Sequence, residues 1–190
     1  KPVPPAELVA SVAARALRGR TLRQLMERDG LTGLYSHSRI IEQLEAAVRR
    51  ADRRDGRLAV AMIDVDGFKS VNDSHGHLAG DQVLKALAQL LRQRLRLSDV
   101  LGRFGGDEYL VVLPDTDGAA AFAKMDDIRR NFGAVEHDTG RQAFSVTLSA
   151  GIAEFPQAVT GHELIARADE ALYRAKRAGR NRVVLGREEG

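Results

Sequence analysis

The chain has 190 residues, 44% hydrophobic and 29% charged, enough apolar material for one substantial core and too much for a disordered tail. Cysteine is absent, which excludes disulfides and thiolate metal sites and leaves carboxylates and histidines as strong ligands, a set that suits magnesium better than zinc. Net charge is +3, but aromatics are only 5% and do not interleave with the basic residues, so an anionic small ligand is expected rather than nucleic acid.

The first residue is Lys1, as expected of a fragment of a longer protein. No apolar run approaches the roughly 20 residues that span a bilayer, so a soluble, cytoplasmic piece is expected, with membrane attachment of the parent left open. After Pro2, Pro4 and Pro5, the spacing of Leu8, Val9, Val12, Ala16, Leu22 and Leu25 predicts a helix over Ala6 to Arg28. Such a helix suits a connector or short coiled coil, which divides the chain into a linker at 1–28 and a domain at 29–190.

Asp29 to Tyr35, DGLTGLY, is a turn-rich break, followed by a predicted amphipathic helix over Ser38 to Arg50. The apolar run Leu58 to Ile63 reads as a buried strand that delivers Asp64, Val65 and Asp66 to its end, with the two acids on one side if the strand persists. Gly80 to Arg96 carries a stripe of Val83, Leu84, Leu87, Leu91 and Leu95 and reads as a helix. A short strand ending at Phe104, the Gly105-Gly106 turn and the strand Tyr109 to Leu113 form a hairpin with Asp107 and Glu108 at its tip. A helix over Ala119 to Phe132, an alternating strand over Phe144 to Phe155, a helix over His162 to Ala178 and a strand over Arg182 to Leu185 complete the series. Between Leu58 and Phe155 the order β-α-β-β-α-β predicts a ferredoxin-like α+β core, an antiparallel sheet with helices on one face.

In that topology the first strand and the central hairpin are neighbours, so Asp64 and Asp107 can meet. Two carboxylates beside a glycine turn are a minimal magnesium-nucleotide site. Gly105 and Gly106 remove side chains and permit positive φ, letting backbone N–H groups approach a triphosphate. Lys69 is a mobile point charge suited to phosphate, while Asn72 and Asp81 offer the donor and acceptor pattern of a guanine edge. Taken singly, each has a plainer explanation: a solvated hairpin, a surface lysine, a turn at Asn72 and Asp73, an acid at a helix N-terminus, loop histidines at His75 and His77. Taken together, the plainer account needs every polar choice to coincide.

The segments DGLTGL, DVDGFKSVND, GHLAGD, RFGGDEY, LSAGIA and ADEALYRAKRAGRN, in this order from Asp29 to about Val184, resemble the GGDEF family of diguanylate cyclases. The resemblance implies a fold like the nucleotidyl cyclase and polymerase palm, and condensation of two GTP into cyclic di-GMP with release of pyrophosphate. It implies a two-fold homodimer with one GTP per domain, in a protein whose upstream sensory region controls it. By the family's pattern, Asp64, Asp107 and the Val65 carbonyl hold magnesium, with manganese as a substitute. Asp107 or Glu108 assists deprotonation of the 3′-hydroxyl. Lys69, Lys176 and Arg180 meet phosphate, Phe68, Gly105 and Gly106 line the nucleotide, and Asn72, Asp81 and His77 meet base or ribose. A carboxylate at Asp81 accepting from guanine N1 and N2 favours GTP over ATP.

Arg96 and Asp99 match the family's RxxD inhibitory site, which binds the product; a helix-terminal arginine and a turn-capping aspartate would explain them equally from residue chemistry. Departures are Tyr109 for the usual Phe, Gly67 where a larger residue is common, Ser36 where asparagine is common, and Asp127 where many relatives carry a second inhibitory arginine, with Arg129 and Arg130 close by. The rival readings are a catalytically inactive cyclic di-GMP receptor using Arg96 and Asp99, and a nucleotide-binding dimerisation module.

Overall fold

The computed structural model describes residues 27–138, 143–155 and 160–186; the linker helix expected over Ala6 to Arg28 lies almost wholly outside them. The elements are α1 (His37–Arg54), β1 (Leu58–Val65), α2 (Phe68–His75), α3 (His77–Arg94), β2 (Val100–Arg103), β3 (Glu108–Pro114), α4 (Gly118–Gly133), β4 (His137–Asp138), β5 (Ala143–Phe144), β6 (Leu148–Phe155), α5 (Gly161–Arg177) and β7 (Val183–Leu185). No helix among the described residues is long and apolar enough to cross a membrane.

The main sheet has the order β2-β3-β1-β6-β7. Its first four strands pair antiparallel, as the ferredoxin-like reading predicts, and β7 adds in parallel beside β6, which makes the sheet mixed. All eight residues of β1 are buried because both faces are covered. Ala59, Ala61, Ile63 and Val65 meet Val83, Leu84 and Leu87 of α3 and Met125 and Ile128 of α4. Leu58, Val60 and Met62 meet Ile40 and Leu44 of α1 and Leu164, Ala168 and Leu172 of α5. The expectation of helices on one face therefore holds only within the β-α-β-β-α-β unit, and α1 and α5, which lie outside it, close the second face.

Three local differences have physical causes. Most of α2, a helix too short to display an apolar stripe, lies within DVDGFKSVND; Gly67 (φ 68°) leads into it and Gly76 (φ 83°) separates it from α3. Both are left-handed positions that favour glycine, which accounts for the small residue at Gly67. The strand expected over Phe144 to Phe155 is divided: Ala143–Phe144 pairs with β4 in a separate ribbon, and Leu148–Phe155 enters the main sheet, buried nearly throughout rather than alternating. Helix α3 stops at Arg94, so Arg96 lies beyond it in a turn.

Helix α5 begins with a reciprocal cap in which the Glu163 amide donates to Thr160 Oγ1 at 3.2 Å and the Thr160 amide donates to Glu163 Oε2 at 3.0 Å. It then crosses β6 at Gly151, where a Cβ would collide with the backbone of Ala168 and Leu172. This contact fixes the height of α5 over the sheet. Replacing Gly151 with alanine is expected to destabilise the domain by about 1–3 kcal/mol through overpacking, read as a lower urea midpoint; an unchanged midpoint would show that α5 is free to lift.

Candidate active site

The tip of the β2–β3 hairpin is held from beneath. The Phe104 and Gly105 amides donate to the Glu108 carbonyl at 2.8 and 3.2 Å. Arg103 donates through Nε and Nη2 to the Gly106 carbonyl at 3.1 and 2.6 Å, and through Nη1 to the Asp29 carboxylate at 3.1 Å. Asp29 also accepts from the amide and hydroxyl of Thr32. Burial works to raise the Asp29 pKa, but Thr32 and Arg103 outweigh it and hold the carboxyl below its usual range. Arg103 and Asp29 thus tie the tip to the DGLTGLY segment that precedes α1. Neither was among the candidate residues, although an arginine two before a Gly-Gly turn and an acid opening DGLTGLY were there to be read.

Neither Gly105 nor Gly106 adopts positive φ, contrary to expectation. Gly105 serves close approach instead, since a Cβ on it would strike the Glu108 carboxylate. Behind the tip, Tyr109 is fully buried and its hydroxyl donates to the Leu84 carbonyl at 2.9 Å, so the tyrosine packs where phenylalanine is usual.

Asp64 stands at the end of β1 in register with Glu108, and the Val65 amide donates to the Asp107 carbonyl at 3.3 Å. The sheet thereby gathers Asp64, Asp107 and Glu108, as the topology predicts. Lys176, in the last turn of α5, places Nζ 2.7 Å from Asp64 Oδ2. Burial pushes the Asp64 carboxyl up to about 6, opposed by the hydrogen bond and charge of Lys176 and assisted by the nearby charges of Asp107 and Glu108.

Hard oxygen donors and an ammonium already seated on Asp64 fit a cation position there. Among the described residues no group of three or more histidine, aspartate or glutamate side chains forms a cage for an ion. Magnesium rarely needs one, because it binds through one or two carboxylates, substrate phosphates and water.

On the other side of β1, the helices α2 and α3 meet at Gly80, where a methyl group would run into the Asn72 amide and the Phe68 ring. Asn72 and Phe68 are thus brought beside Asp81, the next residue of α3. His77 opens α3 and is exposed, as are Lys69 and Arg180. His75 stacks on Phe144 with ring centroids 4.0 Å apart, a packing role.

Asp66 does not share the site of Asp64, because β1 ends at Val65. Its carboxylate accepts from the hydroxyls of Thr147 and Ser149, each at 2.7 Å, and from the Asn181 amide at 3.0 Å. These bonds hold a turn in which Gly179, Arg180 and Asn181 are all left-handed (φ 109°, 60° and 46°). Asp66 and Asn181 therefore set the backbone that presents Arg180, and sequence spacing gave no sign of it.

A family model described as "Diguanylate cyclase, GGDEF domain" matches residues 26–182. The chain belongs to the GGDEF family. It is 45% identical over 161 residues to diguanylate cyclase DgcP of Pseudomonas aeruginosa, covering 85% of this chain and 24% of that protein. It is 37% identical over 199 residues to the response regulator PleD of Caulobacter vibrioides, covering 97% and 43%. The chain thus spans less than half the length of either of these curated relatives. Among solved structures, the GGDEF domain of DgcB from Caulobacter crescentus in complex with c-di-GMP is similar with a TM-score of 0.82 and 30% identity, covering 85% of this chain and 94% of that one. The GGDEF domain of TpbB (YfiN) from Pseudomonas aeruginosa gives 0.80 and 38%, covering 84% and 94%.

In this GGDEF domain the RxxD segment is a tight turn. The Asp99 amide donates to the Arg96 carbonyl at 3.0 Å and the Arg96 amide to Asp99 Oδ2 at 2.9 Å, with Lys124 Nζ 3.9 Å from the same carboxylate. The Arg96 side chain is exposed. The turn lies one strand away from the tip, about 13 Å along β2 at ~3.3 Å per residue. Asp127 pairs with Arg94, while Arg129 is bonded to Asp126 and Asn181, and Arg130 to Asp126.

The raised Asp64 carboxyl has a measurable consequence. Between its ordinary value of 3.8 and about 6 the folded chain holds more proton than the unfolded one, so this group makes the metal-free domain less stable as pH rises through that window. Asp64→Asn should remove this contribution. The wild-type minus variant stability from urea titrations is expected to fall with rising pH and level off above the window; a flat difference would refute the assignment.

Proposed function

We propose that the domain is a diguanylate cyclase that condenses two GTP into cyclic di-GMP, with one GTP held by each of two domains facing across a two-fold axis. The observation that carries the reading is the convergence of Asp64, Asp107 and Glu108 at the end of the central strand, beside Lys176. Belonging to the GGDEF family supports the reaction class, and the DgcB complex with c-di-GMP supports the ligand.

In this reading the 3′-oxygen of each nucleotide attacks the α-phosphorus of the other. A P–O bond to the attacking oxygen forms, the bond to pyrophosphate breaks, and the hydroxyl proton passes toward Asp107 or Glu108. Bound magnesium neutralises charge on the phosphate oxygens; Asp64, Asp107 and the Val65 carbonyl would hold it. Gly105 and Gly106 keep side chains out of the path of the triphosphate, and Lys69, Lys176 and Arg180 supply cations for its oxygens. Asn72 and Asp81 read guanine, Phe68 borders the nucleotide, and His77 lies near base or ribose. A half-site on each domain makes the dimer obligatory, because the attacking oxygen and the phosphorus come from different nucleotides. An input region elsewhere in the parent protein then sets how the two domains meet.

Product inhibition is part of the reading. The exposed Arg96 guanidinium offers a guanine contact away from the hairpin tip, and Asp99, whose buried carboxylate accepts from the Arg96 amide, would join it only if that turn opened.

Purified protein incubated with GTP and magnesium is expected to yield cyclic di-GMP by mass spectrometry, and Asp107→Asn to abolish it while sparing cyclic di-GMP binding. Absence of product from dimeric wild-type protein would reject the reading. Separately, Arg96→Ala should weaken inhibition by added cyclic di-GMP at least about tenfold with initial turnover retained; inhibition equal to wild type would remove Arg96 and Asp99 from that role.

A further inference from the structure

Lys176 does more in this fold than its expected phosphate contact requires. Its ammonium is not directed at open solvent but donates to Asp64 Oδ2 at 2.7 Å, with the two side chains 33% and 11% exposed. Around them stand Asp107 and Glu108. Carboxylates gathered at the end of the central strands would attract a divalent cation, and the lysine places a positive charge on the one, Asp64, that such an ion would need.

The lysine's root is fixed and its head is not. Ala168, Leu172 and Ala175 bury the inner face of α5, and the Gly151 contact sets the helix directly on β6. From that anchor a four-carbon stem lets the ammonium swing several ångströms without moving backbone, which a guanidinium fork does less readily. An ammonium is also a compact point charge that satisfies a carboxylate or a phosphate equally well.

We propose that Lys176 is a tethered countercation that holds the metal position on Asp64 against free divalent ions and gives it up only when a nucleoside triphosphate arrives to receive the ammonium. The inference rests on the magnesium-nucleotide reading of this site. It makes metal and nucleotide binding cooperative: nucleotide draws Lys176 off Asp64, and the vacated carboxylate joins Asp107 and the phosphate oxygens. An ion pair that merely stabilised α5 would give no such coupling.

The test is Mn2+ binding to the full chain, followed by the electron paramagnetic resonance of free Mn2+, with and without GTP carrying a methylene bridge between its α- and β-phosphorus. Without nucleotide, Lys176→Met is expected to bind Mn2+ about tenfold or more tightly than wild type, because the competing charge is gone. With the analogue the order should reverse, because the variant lacks the phosphate contact. Lys176→Arg keeps the charge and should stay within about threefold of wild type without nucleotide. Lys176→Gln carries the same expectation as the methionine variant and replaces it if that variant does not fold.

Nucleotide-free Mn2+ affinity that is unchanged or weaker in the neutral variants overturns the proposal. So does equal tightening in Lys176→Arg, which would show that side-chain bulk and not charge closes the site. Failure of the underlying metal reading looks different: wild type would then bind Mn2+ with the analogue no better than Asp64→Asn does.

Discussion

The structure depends on one constraint, the burial of β1 on both faces and along both edges. A strand flanked by β3 and β6 and covered above and below buries every side chain it carries, and Asp64, near its end, is the one charged residue among them. A carboxylate so enclosed must be neutralised, paired or given a metal. The raised carboxyl of Asp64 and the ammonium of Lys176 are two answers visible together, and a metal brought with a nucleotide is the third. The chemistry proposed for the domain is thus a way of relieving a cost that the packing imposes.

Around that point the fold fixes backbone and leaves long side chains to meet a ligand. Arg103 ties the hairpin tip to Asp29, Asp66 pins the turn carrying Arg180, and Gly151 seats α5 on the sheet. These contacts position backbone. The groups assigned to phosphate, Lys69, Lys176 and Arg180, are long cations on that fixed frame, able to follow a ligand without the sheet moving. Attachment of Arg103 to Asp29 also means that the tip and the segment before α1 share one hydrogen-bond network.

Much of this was legible in the sequence because its signals are local. The apolar run Leu58 to Ile63, a Gly-Gly turn between short strands and helical stripes gave the β-α-β-β-α-β order, and the order alone brought Asp64 to Asp107. What was missed depends on contacts distant in sequence. Helix α2 is too short to show a stripe, and its Phe68 and Asn72 side chains pack against Gly80 of α3. The role of Asp66 emerges only when Thr147, Ser149 and Asn181 are folded beside it, more than 80 positions later. Gly105 was read for positive φ but does not adopt it; what its missing side chain leaves is room for the Glu108 carboxylate, a distinction composition does not carry. The pairing of Lys176 with Asp64 spans 112 positions and follows from the height of α5 over β6.

The central claim, that Asp64 and Asp107 form one metal position from which Lys176 withdraws on nucleotide binding, is tested most directly by a crystal structure with Mn2+ and the methylene-bridged GTP analogue, collected at the manganese absorption edge. The account predicts an anomalous peak contacted by both carboxylates and by phosphate, with the Lys176 ammonium moved from Asp64 to the triphosphate. A manganese peak away from Asp64, or Lys176 still seated on it in the complex, would contradict the account.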